Sequence, residues 1–263
     1  MSLWLSLRYD LRAPAFGPPA EALYRAALDQ CAWAEEHGFA MVTLSEHHGS
    51  DDGYCPSPLV MAAAIAGRTR TIRMMIAALI VPLYDPIRLA EDLAVLDLAS
   101  GGRIDVILGA GYRPEELAMF GREMDERSQL LEEGLEVLRA AWTGEPFEYR
   151  GRTVRVTPRP SRPEGPGLLL GGSTPAAARR AARLGLGFIP VDATLWPPYQ
   201  EACAALGRDV GPAPGLDAPR FVHVADDPDR AWAQIAPHAL HDTNTYSEWL
   251  TSSAARGPYE AAA

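Results

Sequence analysis

Apolar positions along this chain follow two alternating rhythms. Compact apolar runs at 39–45, 72–81, 104–108, 168–170 and 187–191 read as buried strands, and runs at 3–9 and 220–225 add one more near each end. Between them, apolar residues recur at helical spacing, which predicts helices over about 20–37, 57–68, 86–99, 123–142, 176–184 and 196–206, with another opening at Asp227-Pro228. The stops fit: Gly38 closes the first helix, and Asp85-Pro86 is an N-cap followed by proline in the first turn. Pro114 sits in what reads as a loop. Segment 146–157 departs from the rhythm, because Phe147-Glu148-Tyr149, a turn at Arg150-Gly151 and alternating residues to Val156 predict a β-hairpin insertion.

Seven strands alternating with helices imply a parallel sheet with right-handed crossovers. An open doubly wound sheet competes with a closed (β/α)8-type barrel. The open sheet places G-x-G-x-x-G after its first strand, where this chain has no such glycines. The one G-x-G, Gly109 and Gly111, follows the fourth strand and has Pro114 at the third glycine position. The expected fold is therefore α/β, a barrel with a hairpin insertion, as a single domain over 1–263. A final strand–helix unit is not evident after Trp249, so that unit is expected to be missing or irregular.

Composition narrows the partners. The 263 residues are 48% hydrophobic, enough for a full core, and a formal net charge of −10 argues against nucleic acid. Cys31, Cys55 and Cys203 are scattered and odd in number, which suggests neither a disulfide framework nor a zinc site. The start lacks a basic leader, and the longest near-uncharged apolar stretch, 74–84, is too short for a bilayer. A cytoplasmic protein that binds no membrane is expected.

Candidate chemistry gathers where strands end. Glu46-His47-His48 closes the second strand, and histidine suits proton exchange near neutrality. The plainer alternative is a pair of hydrogen-bonded loop histidines, and no metal-ligand spacing surrounds them. Gly171-Gly172-Ser173-Thr174-Pro175 reads as a phosphate cradle at a helix N-terminus, or simply as a capped helix. Ala77-Ala78 and Gly109-Ala110-Gly111 leave room for a flat ring, or serve close packing. Arg103 is expected to form a structural ion pair with Asp97 or Glu91, and His238 and His241 read as surface residues.

Together these motifs resemble the bacterial luciferase-like flavin monooxygenase family, over about 3–249. The resemblance is densest in Leu44-Ser45-Glu46-His47-His48, Ala77-Ala78 with Pro82, Asp85-Pro86, Ser100-Gly101-Gly102-Arg103, Gly109 to Tyr112 and Gly171-Gly172-Ser173. It implies a TIM barrel that binds reduced FMN, or in one branch the deazaflavin coenzyme. It implies that His47 is the active-site acid/base and that Ala77 and Ala78, joined by a cis peptide in many members, back the ring. Gly109, Gly111 and Tyr112 would border that ring, and Gly172, Ser173 and Thr174 would hold the phosphate. Ala110 stands where luciferase has an arginine, so phosphate binding would lean on backbone and hydroxyls.

The implied function is a two-component monooxygenase: a separate flavin reductase supplies FMNH2 transiently, and O2 and a small organic substrate react in the barrel mouth. Two alternatives stand beside it: a deazaflavin-dependent hydride-transfer enzyme, and a non-catalytic flavin-binding protein with a truncated barrel. The resemblance also implies a homodimer through the helices at 57–68 and 86–99.

Overall fold

A computed structural model describes residues 4–210 and 221–253, in two compact units that divide after Leu169. The first unit carries strands β1 (Ser6–Tyr9), β2 (Met41–Leu44), β3 (Arg73–Ile80) and β4 (Ile104–Gly109), parallel and in that order. Helices α1 (Ala20–Glu36), α2 (Pro58–Arg68) and α3 (Pro86–Ser100) make the crossovers. After β4 come α4 (Pro114–Met119), α5 (Arg127–Trp142) and the antiparallel hairpin β5 (Phe147–Tyr149) and β6 (Arg152–Val154).

Strand β7 (Gly167–Gly172) runs across the division. The second unit continues with α6 (Pro175–Leu184), β8 (Gly187–Pro190), α7 (Trp196–Ala205) and α8 (Pro228–Ser253). The fold class is parallel α/β of the TIM-barrel type, with the hairpin at the expected place.

Strand faces decide the core. Val42, Leu44, Met74, Ile76, Ile104 and Val106 are fully buried, as are Leu89 and Leu93 of α3 and Leu135 and Leu138 of α5. Trp142 ends α5 inside this layer and donates its indole N–H to the Ala90 carbonyl at 3.2 Å, which satisfies its polar edge. No helix of the described residues is long and apolar enough to cross a membrane.

Several expectations are corrected. Residues 221–225 form no strand, and Phe221, Val222 and Val224 are largely exposed. An apolar run marks a segment that would suit a sheet, but a strand exists only where an edge accepts its backbone. Residue 220, Leu3 and the tail at 258–263 lie outside the described residues. No strand lies among the described residues beyond β8; one 26-residue helix, α8, stands there instead, with Pro237 inside it. Helix α4 occupies part of what reads as a loop, because six residues are too few to show a helical period, and α5 begins at Arg127 rather than near 123.

Arg103 makes neither expected ion pair. Its guanidinium donates to the carbonyls of Ala66, Thr69, Ile72 and Ser100 and to the Thr69 hydroxyl. Five donors in a fork suit carbonyls left over at the end of α2 better than a single carboxylate. Asp97 instead takes Ser161 and Arg162, and Glu91 faces Arg88.

Glu35, at the end of α1, receives the backbone N–H groups of Arg70, Thr71 and Ile72 and so pins the entry to β3. Burial would raise its pKa, but these donors and the Thr71 hydroxyl outweigh burial and hold it down to about 2, from 4.5. A depressed carboxylate stabilises the fold above its unfolded pKa and loses that contribution as pH falls from about 4.5 towards 2. Urea titrations of Glu35→Gln should therefore show a smaller stability loss than the parent across that window. Equal slopes in the two proteins would remove Glu35 from the acid response.

Candidate active site

The end of β2 delivers Glu46, His47 and His48, all nearly buried, to the carboxyl side of the strands. Each histidine is held by its own carboxylate. His47 Nδ1 lies 2.7 Å from Glu116 Oε1. The same oxygen accepts the His48 backbone N–H at 2.8 Å and Arg113 Nη1 at 3.0 Å. Arg113 also donates to the His48 carbonyl at 3.1 Å, which closes the cluster. Glu116 Oε2 is buried and meets no donor among the described residues.

Burial would raise the Glu116 pKa. The hydrogen bond and charge of His47, the His48 N–H and the Arg113 guanidinium together hold it below the usual range. An ionised carboxylate only accepts, so His47 Nδ1 carries the proton of that bond, and Nε2 is left as the nitrogen able to take up or release one. Nε2 lies 3.4 Å from the Tyr112 hydroxyl, and Tyr54 and Tyr112 flank the ring edge-on at 4.8 and 5.5 Å.

His48 turns to a different partner. Its Nε2 lies 3.0 Å from Glu46 Oε1, which also accepts the Tyr84 hydroxyl at 2.7 Å, while Glu46 Oε2 accepts Ile80 N–H at 2.7 Å. Phe120 packs edge-on to the His48 ring at 4.8 Å. Among the described residues, no group of three or more His, Cys, Asp or Glu could hold a metal ion.

Beside His47 lies a shelf of small residues. The register of β3 against β4 shifts between Ala77 and Leu79, so Ala78 is an extra residue in the pairing. The Ala77–Ala78 peptide is cis. Ala77, Ala78, Gly109, Gly111 and Tyr112 all stay half-buried, although Ile76, Leu79, Ile107 and Leu108 around them are buried. Packing explains the glycines: a Cβ on Gly109 would come within 3.0 Å of the Ala78 Cβ, and Gly111 combines φ +78° with Ile80 at 3.0 Å.

One wall is latched. Arg12 Nε meets Asp52 at 2.6 Å with both side chains buried, and Ala13 N–H and Cys55 N–H bond across the same two loops. Arg12 also lies over the Tyr54 ring at 5.5 Å, so the loops after β1 and β2 support the ring that touches His47.

In the second unit, Thr174 caps α6 by accepting Ala177 N–H at 3.2 Å, and Pro175 occupies the first turn. A Cβ on Gly172 would collide with the Ala177 side chain, so glycine lets this loop lie against the helix. Ser173 is half-buried, and its hydroxyl makes no hydrogen bond among the described residues.

The profile of the luciferase-like monooxygenase family matches residues 11–261. The chain belongs to that family. An F420-dependent glucose-6-phosphate dehydrogenase from Segniliparus rotundus is 30% identical over 281 residues, covering 94% of this chain and 81% of that protein. The crystal structure of monooxygenase RslO1 from Streptomyces bottropensis superposes with a TM-score of 0.75 at 27% identity, covering 95% of this chain and 79% of that one. An uncharacterised protein of Sinorhizobium fredii, y4vJ, is 33% identical over 137 residues, and there the chain spans only 39% of the relative's length. The relatives named thus include an F420-dependent dehydrogenase and a monooxygenase.

Of the residues singled out in this luciferase-like sequence, the first unit brings His47 and Tyr112 together and places Gly109 against Ala78 and Gly111 against Ile80. Gly172, Ser173 and Thr174 share one loop of the second unit. Sequence reasoning missed Glu116, Arg113, Tyr54 and Tyr84. The available signal for Glu116 was a carboxylate two residues after Pro114: proline opens a short helix there and Glu116 falls in its first turn.

Proposed function

We propose that this chain is the oxygenating component of a two-component monooxygenase. Reduced FMN from a separate, transiently bound reductase, O2 and a small organic substrate would be its reactants. The observation that carries the reading is the half-open shelf of small residues beside a buried imidazole whose inner nitrogen is fixed by Glu116. The shelf fits a flat ring, because Ala77, Ala78, Gly109 and Gly111 carry nothing longer than a methyl group and remain accessible where their neighbours do not. Tyr112 would border the ring.

When bound there, reduced flavin supplies the electrons that activate O2. The chain's own part is to orient and to manage one proton. Glu116 holds the His47 ring, Nε2 exchanges a proton on the side facing the Tyr112 hydroxyl, and Tyr54 and Tyr112 limit its rotation. In the second unit, Ser173 and the first turn of α6 are the proposed phosphate ligands, together with the backbone of Gly172 and Thr174. Thr174 already serves its own helix, so the Ser173 hydroxyl is the side-chain donor that remains. A homodimer is proposed through α2 and α3, which expose Val60, Val95 and Leu98.

The F420-dependent relative, at 30% identity over most of this chain, favours a second reading: hydride transfer with a deazaflavin on the same shelf. Anaerobic titration with FMNH2 and with reduced F420 separates the two. Saturable binding of FMNH2, with F420 at least about tenfold weaker, is expected, a difference of about 1.4 kcal/mol. The reverse order would move the assignment to hydride transfer, and binding of neither would remove both.

A further inference from the structure

Strand β2 stops at Leu44, opposite Ile76, whereas β3 runs four residues further to Ile80. Near its start the β3 amides alternate: Arg73 N–H donates to Ala40, which leads into β2, and Met74 N–H to Arg103, which leads into β4. An unbroken strand would therefore aim the Ile80 N–H towards β4. Ala78, the extra residue in the pairing, reverses the alternation, and the Ile80 N–H comes to face the β2 side, beyond that strand's end.

Glu46 meets it there. The residue is 3% exposed, and its Oε2 accepts the Ile80 N–H at 2.7 Å. Its Oε1 accepts the Tyr84 hydroxyl at 2.7 Å and lies 3.0 Å from His48 Nε2, so the carboxylate is itself held on its other oxygen. A side chain thus supplies the acceptor that a longer β2 would have supplied. Ala77, Ala78 and Leu79 are left as a span between two anchors, the Leu44–Ile76 pairing and the Glu46–Ile80 bond. Gly109 packs on Ala78 and Gly111 on Ile80, so the second anchor also backs the glycines. A one-residue slip that erased the bulge would turn the Ile80 N–H away and leave Glu46 Oε2 buried without that donor.

We propose that Glu46 is a positioning residue: it fixes the bulge that makes the small-residue shelf, and so sets where a flat redox ring lies relative to His47. Glu46 and His47 are neighbours in sequence, so the same stretch of chain carries both the clamp and the imidazole. Two carboxylates divide the work. Glu116 orients the imidazole through Nδ1, and Glu46 orients the surface beside it. This role rests on the reading of the shelf as the cofactor surface.

Anaerobic titration with FMNH2 and with reduced F420, well below Tm so that every variant is folded, tests the role without a substrate. Glu46→Ala should weaken binding of whichever ring the parent takes by about tenfold, the equivalent of one hydrogen bond to a charged group. Glu46→Gln should bind within about threefold of the parent, because its carbonyl can accept the Ile80 N–H while its amide donates to the Tyr84 oxygen. Glu35→Ala is the control. Glu35 clamps the opposite end of β3, so its loss should lower Tm and leave ring affinity as in the parent. A folded Glu46→Ala that binds as the parent does, or a Glu46→Gln no better than Glu46→Ala, overturns the proposal. Equal losses in Glu35→Ala and Glu46→Ala overturn it too, since affinity would then follow stability alone. If Glu46→Ala does not fold, Glu46→Asp, a methylene shorter and unable to reach Ile80 and Tyr84 together, takes its place with the same expected loss. A parent that binds neither ring brings down the cofactor reading itself, and this role with it.

Discussion

Replacing His47 with alanine is expected to lower turnover by about 10²–10⁴-fold, the usual contribution of a positioned proton-transfer group. Cofactor affinity should stay within a few-fold of the parent, because the shelf at Ala77, Ala78, Gly109 and Gly111 does not depend on the imidazole for its shape. The split between the two readouts matters. Loss of turnover with retained binding assigns His47 to chemistry; loss of binding assigns it to the cofactor surface. Unchanged turnover would favour a passive flavin-binding protein, because a proton donor that can be deleted without cost is not one. Purified protein, anaerobic titration and single-turnover assays with a range of small organic substrates are sufficient to decide.

The largest stability effect is expected at Glu116. Its Oε1 takes His47 Nδ1, the His48 N–H and the Arg113 guanidinium at 2.7 to 3.0 Å, and the residue is 1% exposed. Glu116→Ala strands those three donors in the interior, and breaking a buried pair from one side costs about 3–5 kcal/mol. Glu116→Gln keeps an acceptor for His47 but loses the charge facing Arg113, and should cost about 1–3 kcal/mol.

The sign of the pH dependence follows from the depressed Glu116 pKa. The stabilisation is present above its unfolded value near 4.5 and fades as pH falls below it, so parent and Glu116→Ala should converge in acid. Urea unfolding across pH 3–7 measures this directly. A Glu116→Ala variant as stable as the parent at neutral pH would show that the cluster contributes nothing to the fold.

The strand and helix rhythm was legible through β8 because buried parallel strands write themselves as apolar runs, and Pro, Gly and Asp mark their turns. The same logic failed at 221–225, where Phe221, Val222 and Val224 make an apolar run yet find no strand partner among the described residues. Pairing is a tertiary fact, and one segment does not carry it. His47 was legible as a candidate because strand ends collect chemistry in this fold class. Its carboxylate was not, since Glu116 lies 69 positions away and only the folding of α4 beneath the loop brings the two together.

Arg103 shows the converse. Charge pairing by proximity in sequence suggested Asp97 or Glu91, but a guanidinium near a helix end finds several carbonyl acceptors at once. The glycines of 109–111 were read as room for a ring or as close packing. Contacts with Ala78 and Ile80 realise the packing, and the residues themselves stay half-buried.

A crystal structure of the protein with reduced FMN, or with F420, tests the central claim most directly. The account predicts the flat ring against Ala77, Ala78 and Gly109, on the side where His47 Nε2 is free of Glu116. A ring bound elsewhere, with His47 and the small-residue shelf untouched, would contradict it.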